Sequence, residues 1–338
     1  MNKLSIIIPV YNLEKHIGKC LDSIIKQLPL DGSVQVYAID DGSKDGSRSI
    51  IQSYEENNDY IHYVHKKNGG VSSARNLGLE LIDSEYVTFV DGDDTVSDNY
   101  IEQILRYARN GFELLCFNAY RTNGNEKSKI LKIDNCDISL KPHEGINGYL
   151  TGSLFYKLEG FVWNKAFRVD VIKDNKLRFD EDQRICEDLL FNSYYCDHIN
   201  TIKFIDSCLY EYYIYENSAI HGYNSLRSQE YIKFIDKYLK YSRVNNFELN
   251  ISNLLSFYIS WWFSVISDES YNPNFKDGKE KIHNYLNNGY FKSNLNKVKF
   301  SQLNTKRKIY YILIRLHLTN LVYLILYKRN KKNRGIFI

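Results

Sequence analysis

The chain has 338 residues, of which 43% are hydrophobic and 25% charged, with 29 Tyr but only 4 Pro and 1 Met. This length and composition suit one large or two medium globular domains and exclude disordered and fibrous classes. Six scattered cysteines show no metal-ligand spacing, and the opening MNKLSIIIPVYN does not resemble a secretory signal. We therefore expect a cytoplasmic protein with reduced thiols.

The net charge of +3 is unevenly distributed. Residues 1–280 hold all 41 Asp and Glu but only 31 of the 44 Lys and Arg, a balance of −10, whereas residues 281–338 hold 13 bases and no acid. A basic tail on an acidic body predicts an anionic partner, either a membrane surface or a nucleic acid. No nucleic-acid recognition module is evident in the body, so we expect no nucleic acid among the partners.

The first 118 residues alternate between strand and helix patterns. Apolar runs predict five strands, at residues 4–10, 34–40, 60–65, 86–90 and 112–118. Helical spacing predicts the intervening helices, at residues 14–27, from about 47, 69–82 and 99–109. This alternation predicts an α/β fold with a doubly wound, mostly parallel sheet, in which ligands bind beyond the carboxyl ends of the strands.

The rest of the chain is less regular until about residue 220 and helical after it. Between these points the patterns predict an edge strand in 127–136, a strand or turn at 161–167, a helix at 187–197 and one or two strands in 202–215. Beyond, apolar periodicity predicts four helices, at residues 225–245, 250–267, 276–290 and 301–327.

The stretch YVTFVDGDD places three carboxylates at the end of the fourth predicted strand. Asp91 and Asp93 are hard oxygen ligands that could hold Mg²⁺ or Mn²⁺ and leave positions for phosphate oxygens. The alternative is an acidic turn in which Asp94 or Asp98 caps the next helix. Taken alone, the motif favours the cap.

Two further motifs follow predicted strand ends, each with two interpretations. The carboxylate of Asp41 could accept the N–H of a uracil ring or a ribose hydroxyl, or could form an Asx turn. The sequence KNGG at 67–70 opens a helix that carries Arg75, an arrangement suited to pyrophosphate. It could equally be an ordinary glycine loop beside an exposed arginine.

In order, IIIPVYN, AIDDGSKDGS, NGGVSSARNLGL and YVTFVDGDD resemble the signature series of family 2 glycosyltransferases with the GT-A fold, over residues 4–118. The resemblance implies an inverting enzyme of the bacterial surface-polysaccharide type that uses a UDP-sugar and Mn²⁺ or Mg²⁺. By this resemblance Pro9, Tyr11 and Asn12 would frame the base, with Tyr11 stacked on its ring, and Asp41 would contact the uracil. Gly70 and Arg75 would contact the donor phosphates. Asp91 would contact ribose or the metal, and Asp93 would bind the metal.

An inverting transferase needs a general base for the acceptor hydroxyl. The sequence RICEDLLFN resembles the acidic pair that the family places at a helix start, so we expect Asp188 as the base, with Glu187 either supporting it or binding the acceptor. The alternative is a helix N-terminus that uses acids against the helix dipole. Trp163, in FVWNKAFR, could stack on an acceptor sugar or belong to the core.

One segment departs from the family pattern. Where relatives often carry an arginine after the strand in YEYYIYENSAIHG, this chain has Ile214 and Tyr215. His221 could be a metal ligand or a diphosphate contact, although a surface histidine is the simpler interpretation. The sequence therefore does not predict donor-phosphate contacts from this segment.

The tail contains nineteen mostly apolar residues between basic clusters in 306–334. Arg315 within it would cost about 2.5–3.5 kcal/mol at a membrane centre, so a spanning helix is not expected. Two alternatives remain: a helix in the interface of the cytoplasmic leaflet, beside its basic flanks, or a helix packed within a helical domain.

We therefore expect three parts: a nucleotide-sugar-binding half at 1–118, an acceptor and catalytic-base region of the same domain at 119–220, and a helical extension at 221–338. The expected activity is transfer of a sugar from a UDP-sugar to a glycan or lipid-linked oligosaccharide at the inner face of the plasma membrane, in capsule, O-antigen or teichoic-acid synthesis. One alternative is a sugar-nucleotide pyrophosphorylase, although PVYNLEKH lacks the Gly-rich, Arg-containing loop of those enzymes. Another is a non-catalytic nucleotide-sugar-binding membrane scaffold.

Overall fold

A computed structural model describes residues 2–124, 126–130, 133–141, 143–145, 160–215 and 223–334. These residues form two compact units. The first comprises the described residues of 2–145, 160–182 and 187–215, and the second comprises 183–186 and 223–334.

The first unit alternates strands with helices, as predicted. Its strands are β1 (Asn2–Val10), β2 (Val34–Asp40), β3 (Ile61–His65), β4 (Ser84–Phe89), β5 (Thr95–Val96), β6 (Leu114–Thr122), β7 (Lys127–Lys129), β8 (Cys136–Ser139), β9 (Lys165–Arg168) and β10 (Thr201–Tyr213). Its helices are α1 (Ile17–Ile25), α2 (Ser47–Glu55), α3 (Val71–Leu81), α4 (Tyr100–Ala108), α5 (Val169–Asp174) and α6 (Glu187–Cys196). The edge strand predicted in 127–136 is two short strands, β7 and β8.

The strands form one sheet in the order β3-β2-β1-β4-β9-β6-β10-β5, with β7 beside β6 and β8 beside β10. β1 is parallel to both β2 and β4, and β6 is parallel to β10, whereas β9 runs antiparallel between β4 and β6. This mixed but mostly parallel sheet confirms the predicted fold class. Because β2 and β4 both flank β1, the acidic clusters that follow them lie at the same edge of the sheet.

The central strand β1 is buried on both faces, as its continuous apolar sequence predicts. Ile6 and Ile8 belong to a core that also contains Ile17 and Leu21 of α1, and each buried aliphatic side chain contributes about 1.5–3 kcal/mol. On α3, a Cβ at Gly78 would lie 2.6 Å from a methyl carbon of Ile7. Glycine therefore allows α3 to pack closely against β1, which brings Arg75 of the same helix toward the acidic edge.

The second unit is helical. Its longer helices are α7 (Arg227–Val244), α8 (Ile251–Glu269), α9 (Phe275–Leu286), α10 (Gly289–Asn294), α11 (Thr305–Arg315) and α12 (Thr319–Arg334). Asparagine side chains accept hydrogen bonds from the first N–H groups of four of these helices, at Asn250, Asn274, Asn288 and Asn304. These caps satisfy donors that a helix start otherwise leaves unpaired.

The single helix predicted over 301–327 is wrong, because the chain turns through 111° between α11 and α12. His317 adopts a left-handed φ of 56°. The N–H of His317 donates to the carbonyl of Ile314 over 3.1 Å, and the N–H of Leu318 donates to that of Leu313 over 2.9 Å. This pair of bonds is a Schellman motif, which ends α11. No single helix in the described ranges has the length and hydropathy of a membrane span; α11 and the first part of α12 reach them only as a bent pair.

Candidate active site

The DGDD sequence forms a tight turn directly beyond β4. The N–H of Asp94 donates to the carbonyl of Asp91 over 3.0 Å, which closes the turn. A Cβ at Gly92 would lie 2.8 Å from a methyl carbon of Leu13. Glycine thus lets the turn lie against the segment after β1, and Asp91 and Asp93 project from it at the strand end.

Asp94, whose role the sequence left open, has a structural one. It is 1% exposed and accepts hydrogen bonds from the Tyr210 hydroxyl, over 2.8 Å, and from the Tyr213 N–H, over 2.7 Å. The Tyr210 oxygen also accepts the N–H of Asp91 over 3.0 Å. Burial, together with the charges of Asp91 and Asp93, raises the pKa of Asp94 well above its ordinary value. Asp94 therefore fastens β10 to the acidic turn.

Tyr215 lies where the sequence departs from the family pattern, and it also contacts the turn. Its hydroxyl donates to the backbone carbonyl of Asp93 over 2.9 Å, and its ring centroid is 4.3 Å from that of His16. The contributions of His16, Tyr210 and Tyr213 were not predicted; the tyrosine-rich run at 210–215 was the available signal. His221 lies outside the described residues.

Arg75 joins the acidic turn to the predicted base motif. Its guanidinium donates to Asp188 over 2.5 Å and to Asp91 over 3.1 Å, and lies 3.5 Å from Glu187. Arg75 is 3% exposed, with Phe179 packed 5.3 Å from the guanidinium carbon. Burial opposes its charge, but the charges of these three carboxylates raise its pKa above the ordinary value. The exposed arginine considered as an alternative is thus wrong, and its predicted phosphate contact stays a prediction, since the terminal nitrogens already face carboxylates.

Glu187 and Asp188 form the first turn of α6, where the helix dipole favours acids. Burial and the charge of Asp188 raise the pKa of Glu187 to about 8, against the opposing effect of Arg75. Burial also raises the pKa of Asp188, again opposed by Arg75. Of the two, Glu187 is the carboxyl group that favours a proton at neutral pH, whereas Asp188 makes the shorter contact with Arg75.

The carboxylate of Asp41 is 3% exposed and organises the glycine loop before α3. It accepts hydrogen bonds from the N–H of Gly69 over 2.9 Å, from that of Gly70 over 2.7 Å and from Lys66 Nζ over 2.6 Å. Gly70 has a φ of 89°, a conformation that strongly favours glycine. The uracil contact of Asp41 and the phosphate contact of Gly70 remain predictions. What the structure shows is that the hydrogen bonds between the Asp41 carboxylate and the N–H groups of Gly69 and Gly70 shape the loop.

The predicted base-framing residues lie at the end of β1. Pro9 is buried in the strand, and Tyr11 is 47% exposed just beyond it. Asn12 has a left-handed φ of 54°, and its side-chain oxygen accepts the N–H of Lys44 over 2.8 Å. Tyr11 thus presents an accessible ring for stacking, while Asn12 fixes the loop after β2 beside it.

Trp163 is part of the core, so the predicted acceptor contact is wrong. The residue is 2% exposed, and its ring is stacked at 4.6 Å from Phe161 and at 4.5 Å from Tyr210. At this exposure the ring presents no accessible face to a sugar. Phe161, 36% exposed at the end of this stack, was not predicted.

Lys165 is a second cation that the sequence analysis missed. It is fully buried in β9, and its Nζ donates to the Phe161 carbonyl and, over 2.7 Å, to the Asn164 side chain. The charge of Lys165 acts with that of Arg75 to lower the pKa of Asp188 against the effect of burial. Lys165 therefore favours the ionised form of Asp188, the predicted base.

The residues at the DGDD turn fit a divalent cation. Asp93 forms no ion pair with any residue that the structure describes, and burial and the charge of Asp91 raise its pKa. Two carboxylates with an excess of negative charge suit Mg²⁺ or Mn²⁺. No group of three or more His, Cys, Asp or Glu side chains in the described ranges could enclose an ion, so a cation here would take further oxygens from phosphate or water.

A model of the family described as glycosyl transferase family 2 matches residues 5–174. This range contains the carboxyl ends of β1, β2 and β4 and the acidic turn beyond β4. The chain belongs to glycosyl transferase family 2. This membership confirms the family predicted from the four motifs.

Among curated proteins, the chain is 29% identical over 239 residues to the uncharacterized glycosyltransferase EpsJ of Bacillus subtilis, covering 70% of this chain and 66% of EpsJ. It is 26% identical over 257 residues to the poly(ribitol-phosphate) beta-N-acetylglucosaminyltransferase TarP of Staphylococcus aureus, covering 71% and 72%. The match covers 63% of the glycosyltransferase EpsH of B. subtilis, so the chain spans about two thirds or less of the length of several relatives.

Among solved structures, that of S. aureus TarS 1-349 in complex with UDP-GlcNAc has a TM-score of 0.72 at 20% identity and covers 98% of this chain and 92% of its own. The mannosyltransferase PcManGT from Pyrobaculum calidifontis, in complex with GDP-Man and Mn²⁺, has a TM-score of 0.53 at 12% identity and covers 97% and 88%. At these identities the likeness concerns the fold, and it agrees with the predicted GT-A type.

Proposed function

We propose that this protein is an inverting glycosyltransferase that moves a sugar from a UDP-sugar to a hydroxyl group of a glycan or lipid-linked acceptor. The observation that carries the proposal is the contact of Arg75 with both Asp91 of the DGDD turn and Asp188 of α6. One buried guanidinium holds the predicted donor-side and base-side carboxylates in one cluster. Such proximity is what a transfer between two bound substrates requires.

The donor would lie along the edge formed by the ends of β1, β2 and β4. The exposed ring of Tyr11 would stack on uracil, and the Asp41 loop would lie beside it. UDP as the nucleotide is supported by the fold shared with TarS, whose structure was determined with UDP-GlcNAc. Two relatives, named minor teichoic acid biosynthesis protein GgaB and poly(ribitol-phosphate) beta-N-acetylglucosaminyltransferase TarP, support an acceptor in a bacterial surface polysaccharide.

Asp188 would act as the general base. As the acceptor oxygen attacks the anomeric carbon, its proton passes to the Asp188 carboxylate and the bond from that carbon to the diphosphate oxygen breaks, releasing UDP. Arg75 and Lys165 favour the ionised carboxylate before attack. Glu187, protonated at neutral pH in this scheme, would limit the negative charge of the cluster and remains able to donate to an acceptor oxygen.

Asp91 and Asp93 would hold Mg²⁺ or Mn²⁺ against the donor phosphates. The cation would neutralise the charge that develops on the leaving diphosphate. Asp94 would not be a ligand, because both of its oxygens accept hydrogen bonds from β10. Tyr210 and Tyr215 would hold the turn in position through the backbone of Asp91 and of Asp93.

The C-terminal helices would place the enzyme at the cytoplasmic face of the membrane. Ile309 and Ile312 of α11 and Leu316, its C-cap, recur at helical spacing and are 44–62% exposed. Leu321 and Ile325 are similarly exposed on α12. Exposed apolar stripes near basic residues favour an anionic membrane interface. Ile312→Ser with Leu316→Ser should weaken binding to phosphatidylglycerol vesicles, whereas unchanged binding would contradict this placement.

The decisive experiment is a panel of UDP-sugars with Mn²⁺ or Mg²⁺, scored by released UDP in the presence of surface-glycan acceptors. Acceptor-dependent release of UDP is the expected result. Exchange of pyrophosphate into a sugar nucleotide would instead indicate a pyrophosphorylase. Tight UDP-sugar binding without turnover on any acceptor would indicate a non-catalytic binder.

A further inference from the structure

A cavity of about 520 Å³ lies within the helical second unit, among α9, α10, α11 and the start of α12. None of the residues at the candidate active site lines it. Its volume is in the range of small-molecule sites.

The floor of the cavity is apolar. Ile282, Phe291 and Ile314 line it, and each is at most 7% exposed. Leu286 and Leu295 also line it, and the remaining lining residues are polar, with His283, Lys292, Arg315 and His317 among them. A ligand that fills the cavity therefore needs an apolar part and a polar group that accepts hydrogen bonds.

The polar wall carries positive charge, and none of the described residues that line the cavity is an acid. All lining residues fall between 282 and 320, and the sequence has no Asp or Glu after Glu280. The side chain of Lys292 donates to the Asn287 amide oxygen over 3.1 Å, and that of Arg315 donates to the Asn296 amide oxygen over 2.7 Å. Neutral amides orient these cations without cancelling their charge, so the wall favours an anion.

The turn between α11 and α12 strengthens this preference. Thr319 and Asn320, the first residues of α12, line the cavity, and the first N–H groups of a helix lack partners within the helix and attract anions. His317 occupies the left-handed position of the Schellman turn, where glycine is usual. A histidine at this position brings an imidazole to the cavity at some cost in backbone strain.

We propose that this cavity binds the phosphate headgroup of an anionic lipid, with the phosphate at the Lys292, Arg315 and His317 wall and the first carbons of the lipid against the apolar floor. An apolar floor distinguishes a lipid phosphate from free inorganic phosphate. The exposed Leu316 and Leu321 flank the lining residues of the turn. The assignment of the phosphate to a lipid rests on the proposed membrane placement. The anion site itself is inferred from the volume of the cavity and the residues that line it.

The test is calorimetric titration of the full chain with dihexanoyl phosphatidylglycerol, below its micelle concentration, and with inorganic phosphate. Wild type should bind the lipid more tightly than inorganic phosphate. Lys292→Gln and His317→Gly should each weaken lipid binding about tenfold, the effect of losing one charged hydrogen bond. Glycine suits the left-handed turn, so His317→Gly should melt no lower than wild type.

Lys297→Gln is the matched control, since Lys297 is an exposed cation in the same acid-free stretch but does not line the cavity. It should bind the lipid as wild type does. Equal binding of the lipid by wild type, Lys292→Gln and His317→Gly would overturn the site. Equal affinity for inorganic phosphate would overturn the lipid assignment. Acceptor-dependent release of UDP from a UDP-sugar, measured with a soluble acceptor and no lipid, should be unchanged in these variants, so failure here is separable from failure of the proposed transferase activity.

Discussion

Arg75 Nη1 lies 2.5 Å from Asp188 Oδ1, although the two residues are 113 positions apart in the chain. The other terminal nitrogen of the guanidinium contacts Asp91. Removal of this cation would leave three carboxyl groups, those of Asp91, Glu187 and Asp188, in a largely buried cluster without their shared partner. The contact therefore links stability to the geometry of the candidate site.

Arg75→Ala should lower the free energy of unfolding by about 3–5 kcal/mol, the usual effect of removing one partner from a buried ion pair. Denaturant unfolding at neutral pH measures this. Arg178→Ala, which removes a pair with Glu80 whose side chains are 47% and 52% exposed, should cost less than about 1 kcal/mol. Equal effects of the two substitutions would show that the Arg75 cluster is not a buried network.

Asp188→Asn should reduce kcat by about 10²–10⁴-fold, because the amide cannot accept the acceptor proton. The dissociation constant for UDP should change little. Asp170→Asn is the control, since Asp170 pairs with Arg168 on the surface with a 49% exposed side chain. Full turnover by Asp188→Asn would exclude this residue as the base.

Stability should fall with rising pH because of Glu187. Its pKa is about 8 in the folded protein against an ordinary value of 4.5, so between these values the folded chain binds a proton that the unfolded chain releases. The stabilisation is complete below the unfolded pKa and is lost as pH rises through the folded value. Urea unfolding of metal-free protein should therefore show wild type losing stability from pH 6 to pH 9.

Glu187→Gln separates this effect from other groups. Glutamine stays neutral, so the variant should lose less stability over that pH interval than wild type does. The same slope in both proteins would show that Glu187 is ionised throughout and that another group accounts for the pH dependence.

Asp93→Ala should abolish metal-dependent turnover and remove the stabilisation that Mn²⁺ and UDP together give in thermal unfolding. The physical reason is the loss of a carboxylate that has no ion-pair partner among the described residues and so is available to a cation. Asp98→Ala, at an 84% exposed side chain paired with Lys26, should behave as wild type. Turnover by Asp93→Ala at wild-type metal concentrations would contradict the assigned ligand.

Tyr210→Phe should destabilise the protein by about 1–3 kcal/mol, because it leaves the buried carboxylate of Asp94 without one donor and the Asp91 N–H without its acceptor. It should also raise the Mn²⁺ concentration needed for activity. Tyr212→Phe is the control, a neighbouring tyrosine that also stacks on Trp163. If the two variants unfold alike, the network does not hold the turn.

Much of the fold follows from local patterns. Continuous apolar runs define strands such as β1, and the Asp and Gly residues after them define the turns, because both signals depend on nearby residues only. The break between α11 and α12 escaped prediction because the left-handed position is held by His317 rather than glycine. The role of Trp163 escaped prediction because burial depends on what packs against the ring, here Phe161 and Tyr210.

The sequence by itself determined the strand–helix alternation, the family and the candidate carboxylates, since each of these is carried by residue type and short spacing. Tertiary structure alone decided that Arg75 lies between Asp91 and Asp188, that Asp94 fastens the acidic turn to β10, and that cationic side chains line a cavity in the helical unit. These arrangements depend on contacts between segments far apart in the chain. Charge and burial at such contacts arise from packing in three dimensions, which local sequence patterns do not encode.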